Sequence, residues 1–153
     1  MPSKLRTSGG VYVSADNIAE VPVEINAATF TTTGAIDTYI VAPVTGKLTA
    51  AQVTPLVALT ANNSNYLTFT ATNLGQAGAG TAAMLEADDT NTTKATGGTG
   101  LAINTRLNLT VSTTEENLEV TKGDRIKITA TPTGTLANTV TVPTYLFTFK
   151  RNV

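Results

Sequence analysis

Three observations on this 153-residue chain predict an all-β fold: a single-domain antiparallel β-sandwich, jelly-roll-like, with an extended N-terminal arm. Threonine fills about a fifth of the positions, and its β-branched side chain favours strands, with the methyl packed and the hydroxyl in water. Short runs of alternating apolar and polar residues recur between turn signals spaced about 8–12 residues apart, the pattern of a sandwich or jelly roll. Charged residues make up only 14%, too few to coat the outer faces of long helices. The length suits one domain with one core, and no break in composition marks a second. The expected division is an arm over 1–17 and a sandwich over 18–153.

Met1–Gly10 is polar, ends in Ser8-Gly9-Gly10 and reads as a flexible or extended arm. Val11–Ser14 is a short strand candidate, followed by a turn at Ala15–Asn17. Ile18–Ile25 alternates, with Val21, Val23 and Ile25 on one face and Pro22 and Glu24 on the other. Pro22 cannot donate to a ladder, so this strand belongs at an edge. Strands are expected at Thr29–Thr33 and Ile36–Ala42. In the second, Ile36 and Ile40 share one face and Tyr39 and Val41 the other. Pro43–Gly46 is a turn. Lys47–Val53 and Pro55–Thr60 read as strands, since Thr49, Val53, Thr54 and Pro55 outweigh the local alanines.

Asn62–Asn65 is a turn. Tyr66–Thr72 alternates Leu67, Phe69 and Ala71 with Thr68, Thr70 and Thr72, as a half-buried strand does. Gly75–Gly80 is a loop, Ala82–Ala87 is the best local helix former, and Asp88–Gly100 is a long polar loop of the kind that is often functional or mobile. Leu101–Ser112 reads as one long strand with Leu101, Ile103, Leu107, Leu109 and Val111 inward. Thr113–Asn117 turns and Leu118–Val120 is a short strand. Lys122-Gly123-Asp124 is a tight turn, and Arg125–Thr131 points Ile126, Ile128 and Ala130 inward. Pro132–Leu136 turns. Ala137–Val142 and Thr144–Arg151 form a closing strand broken at Pro143. A bulge there would turn Val140 and Val142 to the core together with Tyr145, Phe147 and Phe149.

The composition excludes several chemistries. Without His, Cys or Trp, the chain has no imidazole base, no thiolate, no disulfide and no His/Cys zinc site. A net charge of -1 supplies no field for nucleic acid or an acidic membrane. No apolar run reaches the roughly 18–20 residues that span a bilayer, and no apolar h-region follows Lys4 and Arg6, so no secretory leader is expected. No cofactor is expected. A glycosidase-like pair could be drawn from Asp16, Glu20, Glu24, Asp37, Glu86, Asp88, Asp89, Glu115, Glu116, Glu119 and Asp124. However, 5% aromatics is poor lining for a sugar cleft, and the reading is of a non-enzyme. Glu86, Asp88, Asp89 and Asn91 form an oxygen-rich loop that lacks the Ca²⁺-loop spacing and reads first as a solvated acidic turn. Gly97–Gly100 lacks the Lys and the following helix of a phosphate cradle. Tyr12, Tyr39, Tyr66 and Tyr145 could stack sugar rings or line the core margin. Lys4 with Arg6, and Lys150 with Arg151, place small positive clusters near both ends. They read as solvated ends or as an arm reaching onto a negatively charged partner.

Two segments carry a resemblance. Asn117–Arg151 (NLEVTKGDRIKITATPTGTLANTVTVPTYLFTFKR) is similar to the last strands of small jelly-roll and β-sandwich virion proteins of tailed bacteriophages. Gly34–Leu48 (GAIDTYIVAPVTGKL) resembles the strand-and-turn opening of the same proteins, among which capsid decoration (cement) proteins are most alike. The resemblance covers about half the chain as strand-turn grammar and carries no defined binding residue across. It implies a non-enzymatic structural protein, made in the host cytoplasm and placed on the outer capsid surface of the virion. There it would bind the major capsid protein as a homotrimer and bridge neighbouring subunits, with no nucleic acid or membrane partner. The expected contacts are on the arm and the adjacent strand: Lys4, Leu5, Arg6, Val11, Tyr12, Val13, Val21 and Val23. The alternative is a carbohydrate- or receptor-binding module of a fibre, tail or secreted protein.

Overall fold

The structure, a computed structural model, describes residues 20–152 and the backbone of residues 4–6 and 12–14. Strands β1 (Lys4–Arg6) and β2 (Tyr12–Ser14) pair antiparallel as a small hairpin, with Leu5 opposite Val13 and Arg6 opposite Tyr12. Lys4–Arg6 is therefore a paired strand where the sequence reads as a single extended arm.

The remaining strands are β3 (Glu20–Asn26), β4 (Ile36–Val41), β5 (Gly46–Thr54), β6 (Tyr66–Gly75), β7 (Ala82–Ala83), β8 (Leu107–Leu109), β9 (Glu119–Val120), β10 (Arg125–Thr133) and β11 (Thr144–Arg151). One sheet has the order β3-β11-β5-β8, with β9 also on β5, and the other has the order β4-β10-β6-β7. The pairing is nested. The first of these strands pairs with the last (β3 with β11), the second with the second-last (β4 with β10), β5 with β8 and β9, and β6 with its neighbour β7. The nested hairpin is rolled so that β11 also lies beside β5 and β10 beside β6. That is jelly-roll connectivity, with β8 and β9 acting as one interrupted strand.

Alternation drives the core. Tyr145, Phe147 and Phe149 of β11 face Ile126, Ile128 and Ala130 of β10 and Leu67, Phe69 and Ala71 of β6, all buried. Phe30, from the β3–β4 connection, lies 6.1 Å from both Phe69 and Tyr145 between ring centroids and joins the two sheets. A bulge in β5 sets Thr148 opposite Ala50 and Phe149 opposite Leu48, leaving Thr49 as the extra residue. The parity change lets Leu48, Ala51 and Val53 all face inward. Pro132 sits inside β10 at no cost to the ladder. Its neighbour Leu67 turns its own N–H and carbonyl to Thr93, at 2.8 and 2.9 Å, and β4 ends before reaching Pro132.

Several expectations are corrected. Ala82–Ala87 is not helical: Ala82 and Ala83 pair with β6, and Leu85 bridges Val111, so tertiary pairing overrides helix propensity. Among the described residues, helix is confined to one turn, α1 (Glu115–Leu118), and a 3-10 turn at Asp89–Asn91. Leu101–Ser112 is interrupted by a turn in which Asn104 takes φ 54, and this leaves Ile103 56% exposed rather than inward. Thr29–Thr33 and Pro55–Thr60 contribute only the bridges Phe30–Val140 and Leu59–Leu101. Val142 adopts φ 33 and points out, whereas Val140 is buried as expected.

The hydroxyl of Tyr145 is fully buried and has no hydrogen-bond partner among the described residues. Burial pushes its ionisation far up, so it stays a neutral phenol at any working pH. Tyr145→Phe removes an unsatisfied polar group without changing the packed ring. It should raise stability by about 1 kcal/mol, read as a higher melting temperature, and a lower one would reveal a partner for the hydroxyl.

Candidate functional site

Ionisable side chains are the natural place to seek chemistry, and here they hold the frame. Asp37 accepts a hydrogen bond from the Thr129 hydroxyl at 2.6 Å. Asp124 accepts from the Thr121 N–H at 2.8 Å and from Asn73 at 3.1 Å, closing the turn at Gly123. Glu115 pairs with Lys47 at 2.6 Å, and this hydrogen bond shifts the Lys47 ammonium upward. Lys94 pairs with Asp89 at 2.8 Å, is likewise shifted upward by that bond, and lies 5.1 Å over the Tyr66 ring. Both ion pairs are solvent-facing and add little to stability.

The loop from Glu86 to Asn91 is structural. Glu86 accepts from the Thr113 N–H, and Asp88 caps the 3-10 turn through the Thr90 N–H. Asn91, fully buried, donates to the carbonyls of Glu86 and Thr110, both at 2.8 Å, and accepts from the Thr110 N–H at 2.7 Å. Among the described residues no group of three or more acidic side chains is placed to hold a metal ion. The long polar loop is thus packed against β6 and β8, with Thr92 and Thr93 buried as well.

Two shallow depressions lie on the surface of the described residues. One, of about 250 Å³, is lined by Pro43, Val44, Thr45, Lys122, Arg151 and Asn152. The other, of about 370 Å³, is lined by Glu24, Thr54, Asn104, Arg106 and Thr144. Broad sheet faces dominate the rest. The outer face of the β4-β10-β6 sheet sets Thr129 opposite Thr70 and Thr131 opposite Thr68, with Lys127 between Tyr39 and Thr72. The outer face of the other sheet carries Thr144, Thr148, Thr54 and Gln52, the last bonded to Asn108 at 2.7 Å. Such surfaces are polar with little charge, so covering them requires little ion desolvation.

The residues expected to make contacts are placed as follows. Lys4, Leu5, Arg6, Tyr12 and Val13 come together in the β1–β2 hairpin, and Val11 lies outside the described residues. Val21 and Val23 are on the inner face of β3, half-buried against the core beside Phe149 and Phe147. A partner meeting β3 would therefore touch Glu20, Pro22 and Glu24 instead, because alternation sends the valines inward. Of the tyrosines, Tyr145 is core, Tyr66 lies beneath Lys94, and Tyr39 is 51% exposed. Sequence reasoning missed Asn91 and Thr93, polar residues in a polar loop whose burial no local pattern signals.

No protein-family model matches the chain, and no curated protein matches it. Among solved structures, a chain from the structure of infectious bursal disease virus, Gx strain, is similar at 14% identity with a TM-score of 0.39. The likeness covers 100% of this chain and 42% of that one, so this chain spans less than half the viral chain's length. The jelly-roll assignment rests on strand connectivity and register.

Proposed function

We propose that this protein is a non-enzymatic structural component of a virion that binds the outer capsid surface and bridges neighbouring subunits of the major capsid protein. The observation that carries the reading is the nested jelly-roll connectivity with two broad outer faces on which threonine recurs, joined by Gln52 and Asn108 on one and by Lys127 on the other. Jelly rolls serve as building blocks of viral shells as well as lectins, and the site rather than the fold decides between them. Rigid, weakly charged sheet faces suit permanent contact with a shell, and the resemblance of Gly34–Leu48 and Asn117–Arg151 to decoration proteins points the same way. The β1–β2 hairpin, with Lys4 and Arg6, supplies a basic element for the first contact.

The test is cosedimentation with capsids of the virus to which the proposal assigns the chain. Deleting residues 1–10 should lower shell binding at least about tenfold, in line with the loss of an anchoring element. The melting temperature should stay unchanged, since both sandwich sheets are formed by residues from 20 onward. Full binding by the truncated chain would remove the hairpin from the mechanism. A melting shift on addition of a glycan, with no shell binding, would instead favour the carbohydrate module, for which the exposed ring of Tyr39 is the best platform.

A further inference from the structure

The free edges of the two sheets are guarded unequally. In β3 the Ala27 N–H bonds the Pro143 carbonyl, so by antiparallel alternation residues 21, 23 and 25 bond β11 and residues 20, 22, 24 and 26 face the open edge. Pro22 occupies one of those edge positions and removes its N–H, and Glu20 and Glu24 flank it with charge. That edge is protected against pairing with another strand. β7, β8 and β9 are only two or three residues long.

β4 is built differently. The Ala42 N–H bonds the Asp124 carbonyl, so residues 36, 38 and 40 bond β10, and the N–H and carbonyl groups of Asp37, Tyr39 and Val41 face the open edge. Among the described residues β4 pairs only with β10, and it runs without a bulge and contains no proline, lysine or glycine. Tyr39 and Val41 are 51% and 56% exposed, among the most exposed large apolar side chains described. The strand is also charge-asymmetric. Asp37 stands at its start, Lys127 of β10 is the ladder partner of Tyr39 near its middle, and Arg125, the partner of Val41, turns its guanidinium toward Gly78, away from the β4 edge. Antiparallel pairing of β4 with a copy of itself keeps the two Asp37 carboxylates at opposite ends, each facing an uncharged Val41, whereas parallel pairing sets them side by side.

We propose that a second copy of this chain docks on the free edge of β4, strand against strand, about a two-fold axis at Tyr39. In that register Tyr39 meets Tyr39 of the second copy, and Asp37 meets Val41 in both directions. Every outward N–H and carbonyl of the three residues is then paired, and the two β4-β10-β6-β7 sheets become continuous. The contact is isologous and closes at two copies, so it does not propagate into fibres. The inference is independent of the capsid reading.

The test is the mass of the full chain by sedimentation and light scattering over a concentration series. The expected result is a particle of two 15.8 kDa chains. Two substitutions at one exposed site fix the register. Val41→Lys faces Asp37 of the other copy and should tighten the dimer, whereas Val41→Asp sets like charges opposite each other twice and should weaken it at least about tenfold. Glu20→Lys, on the guarded edge of β3, should leave the dissociation constant unchanged and controls for net charge. A single-chain mass at all concentrations overturns the proposal. So does a three-chain mass, the homotrimer that the resemblance implies, or a dimer that responds equally to both Val41 variants.

Discussion

Asn91→Ala is expected to destabilise the fold by about 3 kcal/mol, although the residue sits in what reads as a surface loop. Its side chain makes three hydrogen bonds to backbone groups from two separate segments, the Glu86 carbonyl and the N–H and carbonyl of Thr110. Alanine leaves those groups without their partner in a site where Asn91 is fully buried, so their desolvation is no longer offset. Leu85–Val111 pairing and the 3-10 turn both hang on that clamp. For a domain of this size the loss should appear as a fall of about 10 °C in melting temperature. A change within a degree or two would show that the loop is dispensable to the sandwich.

Gly46→Ala is expected to cost a similar amount, about 3 kcal/mol, for a steric reason. Gly46 starts β5 where it crosses the end of β11, and it is also the ladder partner of Val120 in β9. A Cβ there would stand 1.9 Å from the Lys150 carbonyl oxygen, which is backbone and cannot rotate away. The strands must part, and the Lys150 and Arg151 rungs are lost first. Chemical denaturation of the variant measures the cost, and amide exchange should quicken at Lys47, Lys150 and Arg151. Wild-type stability would mean that this end of β11 is frayed in solution.

Much of the fold was legible because its strands alternate. β3, β4, β6, β10 and β11 lie close to where the periodicity puts them, with the expected residues inward, and Pro22 does mark an edge strand. The nested order of those strands was less legible, since pairing of β3 with β11 joins residues more than a hundred positions apart and leaves no local trace. The errors have distinct physical origins. The segment Ala82–Ala87 has helix propensity but is captured by β6 and Val111. The parity change expected at Pro143 does bring Val140 inward with Tyr145, although Val142 turns outward at φ 33, and a second change at Thr49 is announced by no proline or glycine beside it. As for the candidate site, the valines of β3 had to be inward once alternation was accepted, so their contact role conflicted with their own pattern. The alternation put Tyr39 and Val41 on one face, yet their importance depends on that face being exposed and on β4 being an edge, which only the sheet order reveals.

The most direct measurement of the proposed virion role is made on intact virus particles produced by the genome that encodes the chain. Purified particles are labelled with an antibody raised against the chain and examined by electron microscopy, with mass spectrometry of the same particles. The account predicts that the chain is present in many copies and that the antibody decorates the outer shell in a regular array. Particles that lack the chain, or antibody confined to the tail or fibres, would contradict it.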